Sequence, residues 1–221
     1  MADRQGDDRR RLLAEATLYF CVPDRPDLAS VVASVCAAGV DVVQLREKRL
    51  DDRALLARAA LARDAAWAAG ALFILNDRPD LALACGADGV HVGQDDVAPS
   101  VCRAILGPDR LVGLSTHAPD ELAASATLPV DYVSVGPVEA TPTKPGRPGT
   151  GLGYASLAAD TAGVVFFVTG GVSAETLPAL LGLGVRRVVV VRAIADALDP
   201  AVAARGIREL LPRGQLSPGG P

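Results

Sequence analysis

The sequence predicts a single-domain α/β protein of the (β/α)8 TIM-barrel class, and three observations lead there. Its 221 residues match the length of one such domain. Short apolar runs alternate eight times with Ala/Leu-rich stretches of helical period. The polar and charged groups gather just after the apolar runs, the end of the strands at which a barrel carries its site.

Residues 1–15 are charged without a strand pattern and read as a frayed arm or short helix, 16–211 hold the barrel, and 212–221 (PRGQLSPGGP) read as a disordered tail. The strand-like runs are 17–22 (TLYFCV), 41–45 (DVVQL), 71–75 (ALFIL), 89–92 (GVHV), 111–114 (LVGL), 131–135 (DYVSV), 164–169 (VVFFVT) and 186–191 (RRVVVV). Helical stretches follow at 28–39, 52–69, 79–85, 99–106, 118–126, 153–161, 174–183 and 196–210, with Asp51, Ser115–Thr116 and Ser173 as N-cap candidates. Strands so short and apolar are buried on both faces, as in a parallel sheet covered by helices. Eight alternations favour closure over an open doubly wound sheet, the competing architecture.

Composition narrows the function. Hydrophobic residues make up 50% and aromatics 4%, so aliphatic side chains and alanine fill the core. A net charge of −4, with no basic run beyond Arg9–Arg11, argues against nucleic acid as partner. No apolar stretch has the length of a membrane span, and the charged start lacks a signal-peptide pattern. Cys21, Cys36, Cys85 and Cys102 have no zinc spacing and read as reduced core thiols, with the cytoplasm as the expected compartment. Of 22 cations only Lys48 and Lys144 are lysines, which points to sites where a compact ammonium is needed.

The strand ends carry the chemistry. After strand 2, Gln44, Arg46 and Lys48 alternate and share one side of an extended segment, a donor-rich cationic face suited to a diphosphate; the plainer reading is a solvated strand end paired with Glu47. Strand 3 ends at Asn76, Asp77 and Arg78. Strand 4 holds His91, which reads as structural, and leads to Gln94, Asp95 and Asp96. Asp77 and Asp96 follow neighbouring strands, so their carboxylates can converge with phosphate oxygens and water on Mg2+, whereas a lone Asp here would be a helix cap. Strand 5 is followed by Ser115, Thr116 and His117, the last a cap or supporting residue. After strand 6 the longest non-periodic segment, 136–152, contains Thr141, Thr143 and Lys144 between prolines, either a ligand clamp or a connector. Gly170 and Gly171 after strand 7 open the way for backbone N–H groups to reach a phosphate at a helix N-terminus, and strand 8 ends at Arg192.

The ordered set QLREK, NDR, GADGVHVGQDD, GLSTH, DYVSVGPVEATPTKP, the later GG and VVRAI resembles the thiamine-phosphate synthase family over roughly residues 17–195. That family joins a hydroxymethylpyrimidine diphosphate to a thiazole phosphate, or its carboxylated form, and releases diphosphate. The resemblance implies that Gln44, Arg46, Lys48 and Asn76 bind the pyrimidine diphosphate and that Asp77 and Asp96 are its Mg2+ ligands. It makes Ser115 a further pyrimidine-diphosphate contact. It assigns Thr141, Thr143, Gly171, Val191 and Arg192 to the thiazole phosphate and Lys144 to the diphosphate side, with Lys48, Ser115 and Lys144 as the catalytic set. It implies a dissociative substitution with no protein nucleophile, on small-molecule substrates, in a chain that could form a homo-oligomer. One departure is Arg192, where the family carries a small hydroxyl residue. The alternatives are a thiazole tautomerase-like isomerase on the same barrel, which needs no diphosphate or metal site, and a silent ligand-binding barrel.

Overall fold

The structure is a computed structural model that describes residues 4–140 and 148–212. Eight strands form a closed barrel in sequence order, β1 (Leu18–Val22), β2 (Val42–Leu45), β3 (Leu72–Asn76), β4 (Gly89–Val92), β5 (Leu111–Thr116), β6 (Tyr132–Val135), β7 (Val165–Val168) and β8 (Val188–Val190). All pair in parallel, and β8 returns to β1 through Leu18 opposite Val188. Strand residues alternate strictly between two environments. Leu18, Phe20, Val22, Val43, Leu45, Phe73, Leu75, Val90 and Val92 face outward into the cluster shared with the helices. Tyr19, Cys21, Val42, Leu72, Ile74, Leu111, Tyr132, Phe167 and Val189 face inward and fill the barrel.

The helices run between the strands. α1 (Gly6–Glu15) precedes β1; α2 (Leu28–Ala37), α3 (Asp52–Ala68), α4 (Pro79–Ala84), α5 (Pro99–Leu106), α6 (Pro119–Ser125), α7 (Gly151–Thr161) and α8 (Leu177–Gly182) follow β1 to β7, and α9 (Arg192–Ala195) and α10 (Pro200–Leu210) follow β8. Asp51 caps α3 by accepting from Ala54 N–H at 2.8 Å. Residues 196–210 do not form one helix: Asp199 caps α10, Pro200 takes its first position and the chain breaks after Ala195. Ser115 and Thr116 are not caps either. β5 runs two residues beyond the apolar run and carries both inside the sheet, and Ala118 precedes α6 with no side-chain cap.

The charged start of the chain closes the barrel floor. Leu13 of α1 joins the interior cluster, and Arg9 is buried with Nε 3.0 Å from Asp88 Oδ1. Asp88, also buried, accepts from Arg4 at 2.8 Å, Trp67 Nε1 at 2.7 Å and Phe73 N–H at 2.9 Å. Arg10 reaches Asp131 Oδ1 at 3.0 Å on the same side. Arg9 and Arg10 are thus held by carboxylates of the barrel, and Arg11 pairs with Glu15 on its own helix. Among the described residues no helix is long and apolar enough to cross a membrane.

Candidate functional site

At the opposite end, the strand termini open into a cavity of about 640 Å³. It is lined by Gln44, Arg46 and Lys48 from β2 and its following turn, Asn76 and Asp77 from β3, and His91, Gln94, Asp95 and Asp96 from β4 and its loop. Ser115 and His117, Gly170 and Gly171, and Val191 and Arg192 complete the ring from β5, β7 and β8. Every described residue that the resemblance assigns to the site therefore lines one space, whereas Arg78 pairs with Asp52 and Asp80 and Thr116 meets Tyr154, and neither lines it. Thr141, Thr143 and Lys144 lie outside the described residues.

Asp77 is the most constrained of these groups. It stands at φ 63°, in the left-handed region that only glycine, asparagine and aspartate enter readily, and its N–H donates to His91 O at 2.8 Å. Its Oδ2 lies 2.8 Å from Lys48 Nζ. Burial pushes its carboxyl above the ordinary range, the Lys48 hydrogen bond pulls it down, and the neighbouring Asp96 charge pushes it up again. Asp96 Oδ2 in turn accepts from Gly93 N–H at 2.8 Å. The lining cations among the described residues are Arg46, Lys48 and Arg192, against Asp77, Asp95, Asp96 and Glu139. The described lining carries no excess of positive charge, and two acids side by side favour a cation between them. No cluster of three or more histidine, cysteine or acidic groups suited to a metal occurs among the described residues, so this pair would need ligand oxygens or water to complete a coordination shell.

The glycine pair does not start a helix. α8 begins at Leu177; between them Ser173 N–H donates to Thr176 Oγ1 at 2.9 Å and Thr176 Oγ1 donates to Gly171 O at 2.8 Å, a side-chain turn that replaces the first helical turn. Gly171 has φ 73°, and a Cβ there would sit 2.3 Å from Glu139 Oε2, so an acid lies against the loop that the resemblance assigns to a phosphate. Arg192 makes no side-chain hydrogen bond or ion pair with the described residues and lines the same part of the cavity.

Sequence reasoning missed the inner polar layer. Tyr19, Cys21 and Ser134 also line the cavity from below. Their signal was available in the parity of the strands, since Cys21 is in register with Gln44 and Ser134 with Ser115. His91 is buried among them, bonded to Tyr132 Oη at 3.2 Å and Ser115 Oγ at 3.0 Å. His117 bonds Gly136 O through Nδ1, and its N–H donates to Glu121 Oε2 at 2.7 Å.

A model of the thiamine monophosphate synthase family matches residues 18–194, all eight strands and the cavity they form. The chain belongs to that family. A thiamine-phosphate synthase of Mycobacterium bovis is 47% identical over 213 residues, covering 90% of this chain and 96% of its own. One of Acidothermus cellulolyticus is 48% identical over 197 residues, covering 87% and 93%. The solved thiamine phosphate pyrophosphorylase of Pyrococcus furiosus superposes with a TM-score of 0.81 at 26% identity, covering 90% of this chain and 96% of that one. A 3-hexulose-6-phosphate synthase, at 22% identity and a TM-score of 0.67, shares the barrel alone. Membership in the thiamine monophosphate synthase family makes the chain a transferase of thiamine biosynthesis.

Proposed function

We propose that this transferase condenses 4-amino-2-methyl-5-(diphosphooxymethyl)pyrimidine with 4-methyl-5-(2-phosphooxyethyl)thiazole or its carboxylated form, releasing diphosphate in an Mg2+-assisted, dissociative substitution. One observation carries this reading: Asp77 and Asp96 are neighbours beside Lys48, at the mouth of a cavity whose deeper wall offers Gln44, Asn76 and Ser115. An acid pair next to a half-exposed ammonium suits a metal-bound diphosphate, and the neutral donors and acceptors below suit a polar heterocycle.

Each residue has a task in that reading. Asp77 and Asp96 would hold Mg2+, which supplies positive charge against the diphosphate oxygens. Lys48 releases Asp77 and turns to the diphosphate, with Lys144 on the same leaving group. Gln44 and Asn76 orient the pyrimidine, and Arg46 adds charge at the diphosphate. The walls keep water from the electron-deficient methylene carbon until the thiazole nitrogen reaches it. The thiazole phosphate is held by Thr141, Thr143, backbone N–H groups at Gly171 and Val191, and the Arg192 guanidinium. No side chain has to form a covalent bond.

The test is direct. Purified protein with both substrates and Mg2+ should form thiamine phosphate and diphosphate in equal amounts by mass spectrometry, and EDTA should stop it. Turnover of the thiazole phosphate alone into an isomer, with no diphosphate released, would instead favour the tautomerase alternative. Absence of thiamine phosphate with Mg2+ present would overturn the assignment.

A further inference from the structure

Two arginines outside the cavity lining meet at the turn that follows β1. Arg25 stands in that turn. Its Nε and Nη2 each donate to a carboxylate oxygen of Asp27, the second at 3.1 Å, and its Nη1 donates to Ala195 O at 3.0 Å. Arg58 of α3 donates to Arg25 O and pairs with Asp24. The contact with Ala195 joins residues 170 positions apart. It is possible because β1 pairs with β8, Leu18 opposite Val188, so the turn after β1 stands beside the turn after β8.

We propose that Arg25 is a positioning residue that sets α9 and, through α9, the Val191 and Arg192 groups that meet the thiazole phosphate. α9 is a single turn of four residues. One turn fixes several backbone dihedrals for very few hydrogen bonds and does not hold its shape alone. Its own bonds are Ile194 N–H and Ala195 N–H to Val191 O, at 3.2 and 2.9 Å, and Asp196 N–H to Arg192 O at 2.9 Å. Its place must come from tertiary anchors. One is Ile194, fully buried. Another is Arg25, whose guanidinium reaches the last carbonyl of the turn. A cation there satisfies an acceptor that the helix leaves over and matches the helix dipole. Val191, Arg192 and Ala193 line the cavity at the opposite end of the same turn. A tilt of α9 about Ile194 would therefore displace the groups at its N-terminal end.

The brace is stiff. The Asp27 fork takes up two edges of the guanidinium and leaves Nη1 for Ala195. That hydrogen bonding holds the Asp27 carboxyl below its ordinary range. Arg58 pins the carbonyl of the same residue, so the backbone and the side chain of Arg25 are both held. A lysine has no planar fork and could not pair with Asp27 in this way while reaching Ala195.

The effect on turnover rests on reading this part of the cavity as the thiazole-phosphate site; the hold on α9 does not. Two measurements keep these apart. Ile194 is one of four isoleucines, and its δ1-methyl signal, assigned by its loss in Ile194→Val, reports on α9. In Arg25→Gln that signal should shift while the signal of Ile74, inside the barrel, stays. Inorganic phosphate titrated against the same signal should bind about fivefold more weakly, within the roughly two- to thirtyfold range that changes along a chain of contacts produce. Kinetically, Arg25→Gln should raise KM for the thiazole phosphate about fivefold and leave KM for the pyrimidine diphosphate within about twofold, and Arg25→Lys should recover only part of the loss. Arg58→Gln, one contact further away, should give a smaller change of the same kind and serves if Arg25→Gln does not fold. An unmoved Ile194 signal in Arg25→Gln overturns the brace. A moved signal with both KM values unchanged overturns the link from α9 to the phosphate. Equal rises in both KM values with a lower Tm make Arg25 a stabilising residue and overturn the positioning role. A moved signal and weaker phosphate binding in a protein that makes no thiamine phosphate support the brace and fault the functional reading alone.

Discussion

Replacing Asp77 by asparagine removes its charge while sparing its backbone. The residue stands at φ 63°, which asparagine tolerates about as well as aspartate, and its N–H bond to His91 O is unaffected. The ion pair lost is the 2.8 Å contact with Lys48, whose side chain is 53% exposed against 22% for Asp77. After solvent screening such a pair is worth about 0.2–1 kcal/mol. In a domain of this size that is at most about 2–4 °C in Tm. Against it stands the raised ionisation of Asp77, caused first by burial and opposed by Lys48. A carboxyl whose folded pKa lies above its unfolded value contributes stability that is present below the unfolded value and is lost as pH rises through the folded one. Asparagine has no such loss. In EDTA, the Tm of Asp77→Asn relative to the unsubstituted protein should therefore be more favourable at pH 7 than at pH 4. Asp77→Ala should melt lower than Asp77→Asn at both pH values, because alanine meets the left-handed penalty of about 1–2 kcal/mol. Both should lose turnover by about 10²-fold or more, as for removal of one electrostatic stabiliser. An asparagine variant with unchanged turnover at low Mg2+ would refute the ligand role. An alanine variant as stable as the asparagine one would refute the backbone argument.

Three further outcomes are expected. Arg192→Ser should raise KM for the thiazole phosphate about tenfold, roughly 1.4 kcal/mol, and leave KM for the pyrimidine diphosphate unchanged; unchanged kinetics for both places the guanidinium outside the site. Glu139→Gln should lower KM for the thiazole phosphate, since its carboxylate lies against Gly171; a higher KM would assign that acid a binding role. Asp88→Asn should lower Tm by about 6–20 °C, from about 3–5 kcal/mol for stripping a buried guanidinium of its carboxylate, with kcat at low temperature retained; a Tm within 2 °C would show that the floor cluster carries little stability.

The barrel was legible because its strands are apolar on both faces, so each of the eight runs stood out to within two or three residues. Strand ends were harder to read. Ser115 and Thr116 look like caps because polarity near the mouth imitates the end of a strand: Ser115 faces inward to the cavity, and Thr116 faces outward, where its hydroxyl accepts from Tyr154 Oη. The split of 196–210 was readable in Asp199–Pro200, a cap followed by proline, but the Ala-rich flanks masked it. The convergence of the described candidates on one cavity follows from their common place after the strands. The inner polar layer did not emerge because each member, taken alone, is an ordinary core residue; only register across the strands joins them. The role of Arg9 was hidden for the same reason, since Asp88, its partner, is 79 residues away.

Among the described residues, α1 closes the floor beneath the strands and the cavity opens at the other end, which gives the barrel one door. Substrates enter and products depart by the same mouth, past the same acids and the same Lys48. Traffic through a single door is sequential: a product that lingers at the rim blocks the next arrival, and the molecule deepest inside leaves last. Accumulated diphosphate or thiamine phosphate should then slow the protein by occupying the threshold, so that its rate in a cell depends on how fast other enzymes clear the doorway.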